Sequence, residues 1–267
     1  MIDSMLVYGL YLLTGMAAGL SAGLLGIGGG LIIGPILCLV LTHQGIATEH
    51  VMHMALATSL ATIIVTSLSS AYAHHRHRAV IWPVVIQLAP GIVAGAWLGG
   101  VLAGELSSDI LRPVFGIFEL IVAALLLLKL QPQSHEKAIS TQRNISGGIA
   151  IGTVSSIVGI GGGTLTVPFL LWHSVSIRNA VATSAACGFP IAVAGTAAYI
   201  YSGWHYTDES VVSLGYVNLT AFTLIIATSI ITAPVGARLA HKMPEQLLRT
   251  FFALLLIAIG IRMIVFQ

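Results

Sequence analysis

Charged side chains are scarce in this sequence: they make up 7% of its 267 residues, against about 25% in a typical soluble domain. Eleven basic and nine acidic side chains cannot cover a water-facing surface at this length. The scarcity excludes a soluble globular enzyme, a disordered chain and a nucleic-acid binder, which needs a basic face. Because 57% of the residues are hydrophobic, the chain is predicted to be an integral membrane protein.

Cysteine is also rare, and both copies, Cys38 and Cys187, lie inside apolar runs. They predict neither a disulfide framework nor a metal cluster. The glycine strings of the chain are not nucleotide fingerprints, because Leu31 and Thr164 stand where a further glycine is required. No metal site and no cofactor are therefore predicted.

The apolar runs predict a polytopic all-α protein. A membrane span needs roughly 20 apolar residues, and six segments fit one crossing each: about 51–73, 79–102, 111–130, 179–201, 212–237 and 246–266. Two further apolar segments, 8–41 and 144–172, are too long for one straight span and short for two.

Both long segments contain the same string, Gly-Ile-Gly-Gly-Gly, at 26–30 and at 159–163. Consecutive glycines lower helix propensity by about 1 kcal/mol each. Each long segment is thus expected to be a helical hairpin or a broken helix that turns at its glycines. The simpler alternative is that the glycines only allow close helix packing.

The two halves of the chain repeat one another. An offset of 133 carries Gly26 onto Gly159, and an offset of 125 carries Ala57-Thr58-Ser59 onto Ala182-Thr183-Ser184. We expect a first membrane repeat at 1–130, a cytoplasmic linker at 131–143 and a second repeat at 144–267, which together form one transport domain.

Basic residues predict how the halves are oriented, since Lys and Arg favour cytoplasmic loops. If each long segment enters and returns to its starting side, nine of the eleven basic residues become cytoplasmic, and Arg112 and Arg262 are the exceptions. The nine are Arg76, Arg78, Lys129, Lys137, Arg143, Arg178, Arg238, Lys242 and Arg249. Both chain termini then lie outside the cytoplasm. The expected fold is two inverted repeats, each with a glycine-broken helical hairpin plus three transmembrane helices.

These motifs resemble the sulfite exporter TauE/SafE family, also called the 4-toluene sulfonate uptake permease family. The resemblance covers about residues 8–264 and rests on the paired glycine strings with the prolines that follow, on 57–60, 69–76 and 90–99, and on 182–186. It implies a multi-pass transporter of the bacterial inner membrane, often for small sulfur-containing anions such as sulfite or organosulfonates.

The glycine strings offer a way to bind an anion at the membrane midplane. A helix is expected to begin after each string, at about Leu31 and Thr164, and a helix N-terminus presents free N–H groups and roughly half a positive charge. The predicted substrate-binding residues are Gly28, Gly29, Gly30, Thr58, Ser59, Gly161, Gly162, Gly163, Thr164, Thr183 and Ser184. The hydroxyl groups could instead bond back to carbonyls of their own helices.

Glu119 is the one acid well inside a predicted span. An intramembrane carboxyl is a functional candidate, because a buried charge costs several kcal/mol. Glu119 is a candidate for proton coupling, and the alternative is a structural pair with Arg262.

The leading prediction is a secondary transporter for a small anion, and a passive anion channel of the same architecture is the alternative. An intramembrane enzyme is disfavoured, because no nucleophile with a base and no paired carboxylates lie within the spans. The expected partners are the anionic substrate and the lipid bilayer, with no nucleic acid. The sequence is compatible with a homo-oligomer.

Overall fold

The computed structural model describes residues 4–25, 29–128, 141–206, 211–240 and 245–265, and within these ranges the protein is almost entirely helical. This confirms the all-α polytopic fold class. In chain order the elements are α1 (Ser4–Leu25), α2 (Gly30–His43), α3 (Thr48–Arg76), α4 (Trp82–Glu105), α5 (Ser108–Leu127), α6 (Thr141–Val158), α7 (Gly163–Trp172), α8 (Ile177–Ser202), β1 (Ser213–Leu214), β2 (Val217–Asn218), α9 (Leu219–Ala240) and α10 (Glu245–Val265).

Six of these helices are long and apolar enough to cross a membrane: α1, α3, α4, α5, α8 and α9. The predicted span at 212–237 begins too early, because β1 and β2 pair in a short antiparallel hairpin before α9 starts at Leu219. The linker predicted at 131–143 lies outside the described residues, apart from its last three residues, which open α6.

The helices break at the glycine strings as predicted. The helix after the first string begins at Gly30 and the helix after the second at Gly163, each one residue from the predicted start. Gly29 and Gly159 take φ angles of 74° and 68°, which strain any residue with a side chain. The strings therefore act as turns, in addition to allowing close packing.

Each break folds the chain back on itself. Tyr11, early in α1, donates a hydrogen bond of 2.8 Å to the side chain of Gln44, which follows α2. In the second half, Gly147 near the start of α6 lies against the ring of Phe169 near the end of α7. The pairs α1–α2 and α6–α7 are thus helical hairpins with the glycines at their tips.

The helix termini gather at two ends of the molecule. One end, which we call the His53 end, holds the start of α3, the end of α4 and the start of α5, where Ser108 Oγ donates to Glu49 O over 2.7 Å. The other, the Arg76 end, holds the end of α3 and the start of α4. The α1–α2 hairpin enters from the His53 end, and the α6–α7 hairpin enters from the Arg76 end.

Glycine stripes allow the closest helix pairs to form. A Cβ on Gly91, Gly95 or Gly99 of α4 would collide with the backbone of α6, and a Cβ on Gly15 or Gly19 of α1 would collide with α9. Both pairs run parallel. Each joins a helix of one half to a helix of the other, so the two halves form a single packed body.

Candidate functional site

The two glycine turns meet in the interior. A Cβ on Gly30 would lie 3.0 Å from the carbonyl oxygen of Gly159 and 3.1 Å from Cα of Ile160. Ser59 of α3 donates a hydrogen bond of 2.8 Å to the same Gly159 oxygen. The hairpin tips and the middle of α3 therefore form one contact region.

A pocket opens beside the second glycine string and extends toward the Arg76 end. It is narrow: the cavity itself is about 10 Å³, room for about one water, and the surrounding space, with its open mouth included, is about 290 Å³. Its lining comes from α1, α3, α8 and the second string: Ala22, Ile63, Thr66, Ser67, Ser70, Gly161, Gly162, Gly163, Ser184, Ala185 and Gly188. Four of the predicted site residues are among them: the three glycines and Ser184.

Seven lining residues were not predicted, and three of these carry hydroxyl groups: Thr66, Ser67 and Ser70. They continue down α3 from Ser59 at helical spacing, so they fall on or near one face of the helix. That periodicity was the available signal. It was missed because, apart from Thr164 beside the second string, only hydroxyl residues repeated in both halves were included in the prediction.

The hydroxyl groups in the pocket bond mostly to their own helices. Ser184 donates to Val181 O over 2.8 Å, and Ser67 donates to Ile64 O over 3.2 Å. Thr66 has a longer contact of 3.3 Å to Thr62 O. Since each hydroxyl hydrogen is engaged, the lone pairs of these oxygens remain available to the pocket.

The first turn of α7 carries two hydroxyl groups with no partner among the described residues, those of Thr164 and Thr166. The exposed fraction is 8% for Thr164 and zero for Thr166. Thr166 Oγ1 lies 3.2 Å from the position that a Cβ on Gly162 would occupy. Buried hydroxyls are normally hydrogen-bonded, so this helix start can make hydrogen bonds that the protein itself leaves unmade.

Thr58 and Thr183, both predicted to bind substrate, make hydrogen bonds to the starts of neighbouring helices. Each is fully buried and accepts a backbone N–H: Thr58 from Asn218 over 2.9 Å, and Thr183 from Ile81 over 3.1 Å. Asn218 and Ile81 stand directly before α9 and α4. Neither threonine lines the pocket, and we call these contacts the two threonine caps.

The first glycine string is packed away from the pocket. Gly29 and Gly30 are buried, and a Cβ on Gly30 would lie 2.9 Å from Ile63 Cδ1. Gly28 lies outside the described residues. Ser59 supports the second turn through Gly159 and is not among the lining residues.

Glu119 is fully buried, and neither carboxyl oxygen has a hydrogen-bond partner among the described residues. The alternative of a structural pair with Arg262 is therefore not observed. Antiparallel contacts set the depth of this residue, since Arg112 lies near Cys38 and the Phe115 ring lies 3.3 Å from a Cβ on Gly34. One turn later in α5 and one turn earlier in α2, Glu119 is level with Gly30 at the first glycine turn.

An aromatic and histidine cluster closes the His53 end. His53 is 4% exposed, and its ring nitrogens contact the carbonyl oxygens of Glu49, Ala103 and Leu106 at 2.9–3.1 Å. Tyr216 stacks on the ring with centroids 5.0 Å apart. Burial raises the pKa of Tyr216, and nearby carboxylates raise it further, so its hydroxyl stays neutral.

Comparison with known proteins identifies the family. The family model "Sulfite exporter TauE/SafE" matches residues 11–263, nearly the whole chain. The chain belongs to the TauE/SafE family. One relative, a "Probable membrane transporter protein" of Haemophilus influenzae, is 38% identical over 95% of this chain and 97% of its own length.

More distant relatives carry the same description. A "Probable membrane transporter protein" of Methanocaldococcus jannaschii is 26% identical over 98% of this chain and 97% of its own length. Another, of Bacillus subtilis, is 27% identical over 94% of each chain. Together with the six apolar helices, these matches make this TauE/SafE protein a multi-pass membrane transporter.

Within the described ranges of this TauE/SafE protein, no three His, Cys, Asp or Glu side chains lie close enough together to hold a metal ion. The described lining of its pocket also includes no charged side chain. The pocket can therefore bind through backbone N–H groups, hydroxyl groups and the dipole of α7.

Proposed function

We propose that this protein is a secondary transporter that moves small sulfur-containing anions, of the sulfite or organosulfonate type, across the inner membrane. The observation that carries the proposal is the pocket at the start of α7, where glycine backbone and hydroxyl groups meet a helix N-terminus in a membrane-buried position. Such a helix end attracts an anion without a basic side chain.

The proposed architecture is a pair of inverted repeats. The two hairpins enter from opposite ends. The first helix of each half packs on the fourth helix of the other half: α1 packs on α9, and α6 packs on α4. The threonine caps support the same plan, because each joins a third helix of one half to a fourth helix of the other. Interrupted helices that meet near the midplane are common at transporter binding sites.

We assign the Arg76 end to the cytoplasm. Arg76, Arg78, Arg143 and Arg178 lie at or near helix termini of this end, in agreement with the excess of basic residues in cytoplasmic loops. The described start of α1 and end of α10 then lie toward the outer side. The pocket, on this orientation, opens toward the cytoplasm.

Glu119 is proposed as the proton-coupling group. Its carboxyl is fully buried, unpartnered among the described residues and level with the glycine turns. A carboxyl in that position is costly when charged, so its protonation can be linked to occupancy of the neighbouring site.

The test is uptake into proteoliposomes that contain the full chain, with sulfite, thiosulfate, organosulfonates and sulfate offered in turn under an imposed proton gradient. We expect saturable uptake of at least one sulfur-containing anion, and we expect it to stop when the gradient collapses. Uptake that persists unsaturated without a gradient would indicate a passive channel. Transport of a cation or a neutral solute alone would contradict the proposal.

A further inference from the structure

We propose that the pocket beside the second glycine string selects singly charged oxyanions and rejects divalent ones. The proposal rests on the function proposed above and specifies the substrate class of the same site. It concerns the charge of the transported form, which a single compound such as sulfite can change by losing a proton.

The positive potential in the pocket comes from one helix end. Helix α7 has ten residues, and its first turn is closed by a bond of 2.8 Å from Thr166 N to Gly162 O. The N–H groups before that bond have no partner within the helix, and the dipole contributes roughly half a positive charge. Glycine at 161–163 leaves this end open to the pocket.

A second observation is made at the same helix end, on two threonines that lie next to the lining glycines and are not themselves lining residues. The hydroxyl of Thr166 is fully buried and unpartnered among the described residues, and it lies beside Gly162. The hydroxyl of Thr164, next to Gly163, is also buried and unpartnered among those residues. An anion with several oxygens can accept hydrogen bonds from these hydroxyls and from the backbone together.

The charge balance of the pocket favours one negative charge. The described lining carries no Lys, Arg or His, so the fractional charge of α7 is the main compensation. The cost of moving an ion out of water rises with the square of its charge, about fourfold from a monoanion to a dianion. Half a positive charge offsets a much smaller share of the larger cost.

The other wall of the pocket acts in the same direction. Ser67 and Ser184 direct their hydroxyl hydrogens to carbonyls of their own helices, so their oxygen lone pairs are left for the ligand. Lone pairs repel additional negative charge and accept a proton-bearing oxygen. The pocket therefore combines a donor side at α7 with an acceptor side on α3 and α8.

The test is competition against labelled sulfite uptake by the full chain in proteoliposomes. Methanesulfonate is monovalent and sulfate divalent throughout the near-neutral range, whereas sulfite changes from one to two charges there. We expect sulfate to compete at least about tenfold more weakly than methanesulfonate, which reflects the larger cost of burying two charges. Sulfate that competes within about twofold of methanesulfonate would overturn the inference.

The pH dependence separates the charge of the substrate from titration of the protein. The ratio of the KM for total sulfite to the inhibition constant of methanesulfonate should rise as alkaline pH depletes the monovalent form of sulfite, because titration of a protein group such as Glu119 shifts both constants alike. If the ratio stays constant, a group on the protein accounts for the pH dependence and the inference is wrong. If neither sulfite nor methanesulfonate interacts with the protein, the proposed function itself fails.

A pocket variant gives an independent readout. Ser67→Lys adds a cation to the lining. It should reduce the ratio of the inhibition constant of sulfate to that of methanesulfonate by about tenfold. Ser69→Lys, on the same helix but outside the lining, is the control and should leave that ratio unchanged. An equal effect of the two variants would contradict the assignment, and if Ser67→Lys does not fold, the wild-type competition series still decides.

Discussion

The two glycine turns both precede a helix start, but they differ in what covers them and in which glycine is left-handed, Gly29 in the first and Gly159 in the second. At the first turn, the Ile63 side chain of α3 reaches to within 2.9 Å of a Cβ on Gly30. An offset of 125 carries Ile63 onto Gly188 of α8, which has no side chain and lines the pocket. The same offset carries Thr66, Ser67 and Ser70 onto Ile191, Ala192 and Gly195. The first turn is therefore closed by Ile63, and the second is open because Gly188 has no side chain to cover it.

The largest effect is expected from Gly159→Val at the second turn. The backbone there has φ 68°, and a Cβ would lie 2.9 Å from the Leu56 Cα. The left-handed conformation costs about 1–2 kcal/mol for a residue with a side chain, and overpacking adds about 1–3 kcal/mol. We expect the yield of folded protein in detergent, measured by size-exclusion chromatography, to fall by about tenfold.

Gly45→Val is the matched control for that substitution. Gly45 also has a positive φ, 83°, but nothing lies within 4 Å of its Cβ position. Gly45→Val should lower the free energy of unfolding only by the cost of the left-handed conformation, about 1–2 kcal/mol. Equal losses in the two variants would show that packing against Leu56 contributes nothing.

The second effect in size is expected from Gly188→Ile, which gives α8 the side chain that covers the first turn. A Cβ at Gly188 would lie 3.3 Å from Ser67 Cβ, a tight contact that α3 must relieve by a shift of a few tenths of an ångström, and the longer side chain then occupies the pocket region. Transport should fall by more than about tenfold while the thermal midpoint stays within a few degrees. Gly9→Ile on α1, where nothing lies within 4 Å, should transport normally, and loss of transport in both variants would refute the covering model.

The third prediction concerns a polar difference between the halves. Glu119 is fully buried, and its counterpart at an offset of 137 is Leu256. Glu119→Gln keeps the shape and removes the proton, so an imposed pH gradient that accelerates wild-type uptake severalfold should leave the variant unaffected. The exposed Glu105→Gln is the control. A variant that still responds fully to the gradient would remove Glu119 as the coupling site.

The smallest effect is expected at the threonine caps, where the halves are most alike. Thr58→Val and Thr183→Val each leave an N–H without its acceptor, at a cost of about 1–3 kcal/mol when that group stays buried. Asn218 is 1% exposed, whereas Ile81 is only partly buried, so Thr58→Val should be the more destabilising. Chemical denaturation of the two purified variants in parallel measures the difference, and the reverse order would contradict it.

The backbone plan could be predicted from the sequence because it depends on composition and repetition. The two glycine triplets interrupt helices, so the starts of α2 and α7 were located to one residue, whereas the glycine pairs 99–100 and 147–148 lie inside α4 and α6. The hairpin at 213–218 was not predicted, since its apolar residues continue without a break into α9. Apolar content alone does not distinguish a short strand pair from the first turns of a span.

Side-chain roles were harder to predict, because a repeated residue type does not fix the direction in which the side chain points. The pair Thr58 and Thr183 recurs at the expected offset, yet both side chains cap helices. The pocket lining at 66, 67 and 70 depends on how α3 is rotated against α8. That rotation is set by tertiary packing, which the sequence does not display.

The parallel packing of α1 on α9 has a consequence for how the protein is made. Leu219, where α9 begins, follows the end of α1 at Leu25 by 194 residues. During synthesis α1 must therefore stay in the lipid without its main neighbour until nearly the whole chain has been inserted. A ribosome that stops after the first half releases a product with an uncovered glycine stripe on α1 and another on α4, and such a fragment is a ready target for membrane quality control.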